Sequence, residues 1–222
     1  MGKSSNRDQG RSLPDLNVNT PTKKAYKAAL EGSNTVIATG VPGSGKTYMA
    51  AVTACEGLLD KRFEKLVISR PAKGTEEDLG FEPGNMDDKM AGWTRPVTES
   101  IIHCLGKSQY EARLGKTIEL VPLHQLMGRS FFNSFILVDE GQSMSIETAK
   151  SLVTRTGRYS KLVICGDIKQ KSIKPGLGLT FLLDLVNRYN MPVNLIEFGL
   201  DDCIRSKECR MWLNVFDEEG LL

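Results

Sequence analysis

A chain of 222 residues, 40% hydrophobic and 25% charged, is long enough for one sizeable α/β domain and too short for two large ones. Its formal net charge of +2 is not the strongly basic balance of a dedicated nucleic-acid binder, and no apolar run is long enough to span a bilayer, so no membrane partner is expected. Five cysteines without a CxxC pair, and two histidines (His103 and His124) that complete no zinc pattern, predict reduced thiols in a cytoplasmic protein.

In chain order, residues 1–19 are polar with almost no apolar periodicity and read as a disordered arm ahead of a domain over 20–222. A short helix is predicted from Thr22 to Leu30, with Tyr26, Ala29 and Leu30 on one apolar face. Six short runs rich in β-branched residues then predict strands: Thr35–Thr39, Lys65–Ser69, Thr117–Val121, Phe135–Val138, Lys161–Cys165 and Val193–Phe198. Several are apolar throughout, which suits strands buried on both faces of a parallel sheet. Helical stretches separate most of them, at Thr47–Leu59, Ile146–Arg155 and Leu179–Tyr189. The alternation predicts an α/β fold, a doubly wound and mostly parallel sheet with helices on both faces. The stretch 71–115 is rich in Gly, Pro and charge and reads as an inserted loop or helical excursion, with an amphipathic piece near Val97–Leu105.

Between the first strand and its helix stands Gly40-Val41-Pro42-Gly43-Ser44-Gly45-Lys46-Thr47, which fits GxxxxGK[ST]. A random chain of this length matches that pattern with a probability on the order of 1%. Glycines let the backbone turn so that its N–H groups meet phosphate oxygens, and the following helix adds its positive end. Gly40, Pro42, Gly43, Ser44, Gly45, Lys46, Thr47 and Tyr48 are therefore assigned to nucleotide binding. Lys46 is expected to reach the β- and γ-phosphates catalytically, and the Thr47 hydroxyl to coordinate Mg²⁺.

The strand Phe135–Val138 ends in Asp139-Glu140. Asp139 is the second expected Mg²⁺ partner, and Glu140 the base that polarises an attacking water. Because this second acid is missing from many proteins that only bind nucleotide, the pair points to hydrolysis. The strand Lys161–Cys165 runs into Gly166-Asp167-Ile168-Lys169-Gln170, and Gln170 is the candidate contact to the γ-phosphate.

Together these residues resemble the PhoH family of P-loop ATPases, which is related to superfamily 1 helicases. The resemblance runs from about Thr20 to Arg205. It includes Arg70-Pro71-Ala72, Leu79-Gly80-Phe81-Glu82-Pro83-Gly84, Arg95-Pro96, Val121-Pro122-Leu123 and Met127-Gly128-Arg129. Further on it includes Asp139-Glu140-Gly141-Gln142, Leu152-Val153-Thr154-Arg155-Thr156-Gly157, Gly166-Asp167 through Gln170, and Asp202-Cys203-Ile204-Arg205-Ser206. Two positions depart from the pattern: Lys23 stands where related helicases often carry an adenine-reading Gln, and Gly141 stands where the family has Ala.

The resemblance implies a single RecA-like P-loop NTPase domain using ATP and Mg²⁺, acting in the cytoplasm on RNA or single-stranded DNA, and assembled as a ring-shaped homo-oligomer, with a hexamer expected. Such a ring invites an arginine finger, a device worth roughly 10³–10⁵ in rate. Arg205 is the candidate, reaching a neighbour's nucleotide in trans, with Arg155 and Arg210 as runners-up and an ordinary surface arginine as the alternative. Arg70, Lys73 and Arg95, interleaved with Phe81 and Trp93, are the candidate nucleic-acid contacts, while the aromatics themselves are expected in the small core of the excursion. A nucleotide-gated oligomeric module with slow hydrolysis and no unwinding is the competing reading. A short chain without an accessory domain suits a viral or phage member.

Overall fold

Successive strand residues divide between two separate hydrophobic clusters, and that division defines the architecture. Val36 and Ala38, Leu66 and Ile68, Phe135 and Leu137, and Val163 and Cys165 belong to one cluster. Ile37, Val67, Ile136 and Val138, and Leu162 and Ile164 belong to the other. A period of two with both faces apolar requires cover on both sides of the sheet. The computed structural model describes residues 13–70, 92, 94–168 and 177–220.

Among the described residues six strands form one sheet: β1 (Thr35–Gly40), β2 (Lys65–Ser69), β3 (Ile118–Leu120), β4 (Ser134–Val138), β5 (Lys161–Cys165) and β6 (Asn194–Phe198). Their spatial order is β3-β2-β4-β5-β1-β6, and each described neighbour pair is parallel. The first face is covered by α1 (Pro21–Gly32), α2 (Lys46–Leu59), α3 (Arg95–Leu105) and α4 (Lys107–Arg113), through Tyr26, Leu30, Met49, Val97, Ile101 and Tyr110. The second is covered by α5 (Leu123–Leu126), α6 (Ile146–Arg155) and α7 (Gly178–Arg188), through Leu126, Leu152, Leu179 and Leu182. A last helix, α8 (Lys207–Glu218), follows β6 and buries Leu213. Each large apolar side chain taken fully out of water contributes about 1.5–3 kcal/mol. No helix among the described residues is long and apolar enough to cross a membrane.

Local signals account for the helix starts. Thr20 caps α1 by accepting from Lys23 N–H, with Pro21 in the first turn. Ser145 and Ser206 cap α6 and α8 in the same way. Within the stretch 1–19 expected as an arm, Leu13, Leu16 and Val18 pack against the first cluster, three apolar positions too sparse to register as a periodic pattern. Residues 1–12 lie outside those described. The described part of the 71–115 excursion, residues 92 and 94–115, carries α3 and α4 on the core, and residues 71–91 and 93 again lie outside.

Candidate nucleotide-binding site

β1 runs into the loop 40–45, and on one side of it β5 and then β4 end at Cys165 and Val138, just before Asp167 and Asp139. Parallel strands bring their C-terminal ends to one edge, so these segments meet although they are far apart in the chain. They surround a cavity of about 450 Å³ lined by Pro42, Gly43, Gly45, Lys46, Thr47, Tyr48, Arg70, Asp139, Glu140, Gln142, Asp167 and Arg205, among others.

The loop supplies a phosphate cradle. Gly43 and Gly45 have φ of +74° and +92°, left-handed conformations that suit glycine and turn the chain into α2. Lys46 is almost fully buried, and its ammonium donates to the carbonyls of Gly40 and Val41, both at 2.8 Å, and to Ser44 Oγ at 3.1 Å. Burial is the main cause that lowers its pKa, opposed by the nearby Asp167, Asp139 and Glu140 charges. Such a cation gains from an anionic ligand. Gly40 and Ser44 shape the loop rather than line the cavity: Ser44 is buried and donates to Val41 O. Tyr48 lines the cavity, with its hydroxyl 3.4 Å from His103 Nδ1.

Thr47 Oγ1 donates to Asp139 Oδ1 at 2.7 Å, so the two oxygens expected to hold Mg²⁺ converge. Burial raises the Asp139 pKa, while the Thr47 hydrogen bond and the Arg70 charge oppose that rise. A hydroxyl and a buried carboxylate at one point are hard oxygen donors, and the residues present fit Mg²⁺. Glu140 stands at φ +55°, a left-handed conformation costing a non-glycine residue about 1 kcal/mol. Its Oε1 accepts from Arg70 Nη2 and its Oε2 from Gln142 Nε2, each at 2.7 Å.

Several candidates are relocated. Arg70, expected on a nucleic-acid surface, turns inward to the acid pair, with its side chain only 12% exposed. The reason is parity: Leu66 and Ile68 face the α2 side, and Arg70 continues that series beside Asp139, which continues Phe135 and Leu137. Arg205, expected to reach a neighbour in trans, packs on the loop of its own chain. Ile204 N–H donates to Gly43 O at 3.0 Å, and a Cβ added at Gly43 would lie 2.7 Å from Arg205 Nε. Arg210 braces this turn by donating to Cys203 O at 2.7 Å, and Arg155 ends α6. Arg95 is exposed and pairs with Glu99 on α3. Lys23 is buried, its ammonium donating to Asn19 Oδ1 at 3.3 Å. Gln170, Lys73, Phe81 and Trp93 lie outside the described residues.

Gln142 is a site residue to which the sequence alone assigns no role. It is buried and bridges two strand ends, its Oε1 accepting from Asp167 N–H at 3.1 Å while its amide donates to Glu140. The available signal was its place in Asp139-Glu140-Gly141-Gln142, a segment that carries part of the family resemblance.

A family model described as PhoH-like protein matches residues 15–217. Protein PhoH of Escherichia coli (strain K12) is 34% identical over 197 residues, covering 86% of this chain and 55% of that protein. The PhoH-like protein of Bacillus subtilis (strain 168) is 28% identical over 208 residues, covering 92% of this chain and 65% of that protein. The chain thus spans between about half and two thirds of these relatives. Among solved structures, the large terminase of a thermophilic bacteriophage superposes with a TM-score of 0.58 at 12% identity, over 90% of this chain and 50% of that one. At that identity the likeness is one of fold.

Proposed function

This chain belongs to the PhoH-like family, and from that premise we propose that it is a Mg²⁺-dependent ATPase that couples hydrolysis to binding or remodelling RNA or single-stranded DNA. The observation that carries the hydrolytic part is the 2.7 Å contact between Thr47 and Asp139. It draws the phosphate cradle and the acid pair into one cavity, with Glu140 lining the same wall.

In this reading Thr47 and Asp139 hold the cation, which when bound would neutralise charge on the β- and γ-phosphates. Lys46 transfers the hydrogen bonds it donates to the carbonyls of Gly40 and Val41 to phosphate oxygens. Glu140 takes the proton from an attacking water, its two oxygens steadied by Arg70 and Gln142. Gln170, four residues beyond Gly166, remains the proposed γ-phosphate contact. Assembly as a homo-oligomeric ring, a hexamer by the family resemblance, and action in the cytoplasm belong to the same proposal. Arg95 and Lys73 remain its proposed nucleic-acid contacts.

Turnover measured with and without single-stranded RNA or DNA, at low and moderate salt, tests the coupling. Polynucleotide should accelerate hydrolysis, and salt should weaken the effect because phosphate contacts release counterions. A flat response favours the gated module, the reading that the net charge of only +2 supports.

Arg205 acts in cis in this proposal, because its stem rests on Gly43 of its own loop. Arg205→Ala should weaken nucleotide binding roughly 10–100-fold, the loss of one charge-assisted hydrogen bond to phosphate. Assemblies mixed from Arg205→Ala and Glu140→Gln subunits should recover no turnover beyond the sum of the parts. Recovery there would restore a finger in trans.

A further inference from the structure

We propose that Arg70 is a positioning residue for the hydrolytic base, fixing the Glu140 carboxylate from within the same chain; this rests on the ATPase reading above. The ends of β2 and β4 stay in register past their last paired residues, Ser69 and Val138, because Asp139 N–H donates to Ser69 O at 2.9 Å. Arg70 is thereby carried alongside the acid pair, with Nη2 2.7 Å from Glu140 Oε1 and Nε 3.9 Å from Asp139 Oδ2.

The geometry is that of a clamp. Glutamate has three side-chain torsions, and a base is useful only when its oxygen meets the water's proton in line. Arg70 holds one oxygen of Glu140 from the end of β2. Gln142 holds the other, and is itself tied to the end of β5 through Asp167 N–H. The carboxylate is therefore referenced to strands on both sides of β4, whose order in the sheet is β2-β4-β5. Only an arginine's planar fork spans both acids; a lysine at this position presents one point charge. The inward pairing also separates Arg70 from a role on an outer polynucleotide track, since its side chain is 12% exposed.

A double-mutant cycle decides the matter. Single-turnover hydrolysis, affinity for a fluorescent ATP analogue and thermal midpoint would be measured for the unaltered chain, R70A, R70K, E140Q and R70A/E140Q. R70A should lower kcat by roughly 10–100-fold, the scale of a misplaced catalytic group. Its nucleotide affinity should stay within about threefold, because the clamp acts through Glu140 rather than on phosphate. R70K should recover only part of the rate. R70A/E140Q should be no slower than E140Q alone, because a clamp has no effect once the base is gone. An equal rate loss in both backgrounds, an affinity loss as large as the rate loss, or unchanged turnover in R70A would overturn the proposal. Should R70A fail to fold, R70Q, which keeps an amide donor, carries the same cycle. Failure of the ATPase reading looks different: the unaltered chain would then bind the analogue and turn nothing over.

Discussion

Glu140→Gln should bind nucleotide as tightly as the unaltered chain and hydrolyse it roughly 10²–10⁴-fold more slowly, the contribution of a positioned general base. The substitution keeps length and shape and removes the group that accepts the water's proton. It also disturbs the pair of bonds that hold this side chain. A carboxylate accepts from both Arg70 Nη2 and Gln142 Nε2. An amide has one oxygen, so its NH₂ must face one of those donors. Gln142 can answer by turning its own amide, but its Oε1 then leaves Asp167 N–H, which it holds at 3.1 Å. The lost bond should lower stability by about 1 kcal/mol without unfolding the domain. Quenched-flow hydrolysis beside equilibrium binding of a fluorescent analogue checks both halves. Turnover retained in this variant would mean that the base lies elsewhere.

Gly40→Ala should have the largest effect on stability. Gly40 has φ +114°, and a Cβ built there would lie 2.0 Å from Phe198 O and 2.7 Å from Phe198 N. These are backbone atoms of the neighbouring strand, paired in register with Gly40, and cannot swing aside as a side chain would. Left-handed strain costs about 1–3 kcal/mol and overpacking about 1–3 kcal/mol, so a loss of about 4 kcal/mol is expected. For a domain of this size that lowers the thermal midpoint by roughly 8–16 °C. Nucleotide binding should fall with it. Gly40 O is an acceptor for Lys46 Nζ, and the next residue, Val41, donates its N–H to Phe198 O at 3.2 Å. A calorimetric shift below a few degrees would show that β1 and β6 can part at this point without cost.

The strands were legible because each is a short apolar run with a strong β propensity, and the observed bounds differ from the expected ones by a residue or so. Thr117–Val121 shortens to Ile118–Leu120, and Phe135–Val138 gains Ser134. The helices α4 and α5 escaped because seven and four residues are fewer than a period of 3.6 needs to declare itself. α8 was missed for a different reason. Its apolar residues Met211, Trp212, Val215 and Phe216 recur at helical spacing, a signal the reading passed over, and in the fold they form an exposed face while only Leu213 is buried.

What the sequence determined by itself was whatever depends on neighbours along the chain. The glycine pattern of 40–45, the lysine and threonine that open α2, and the acid pair closing β4 each carry their chemistry within a few residues. What only the tertiary structure decided was which distant side chains join them. Arg70 and Glu140 are 70 residues apart, and Thr47 and Asp139 are 92 apart. Whether an arginine after β2 meets those acids or points to solvent depends on strand order and on which face its parity selects. One residue of slip would send it to the other side of the sheet. Likewise nothing local told that the turn 203–206 would fold back on Gly43 and bring Arg205 to its own loop. A hydrogen bond between Ile204 and Gly43 settles it, and such bonds exist only once the sheet has brought the ends of β1 and β6 together.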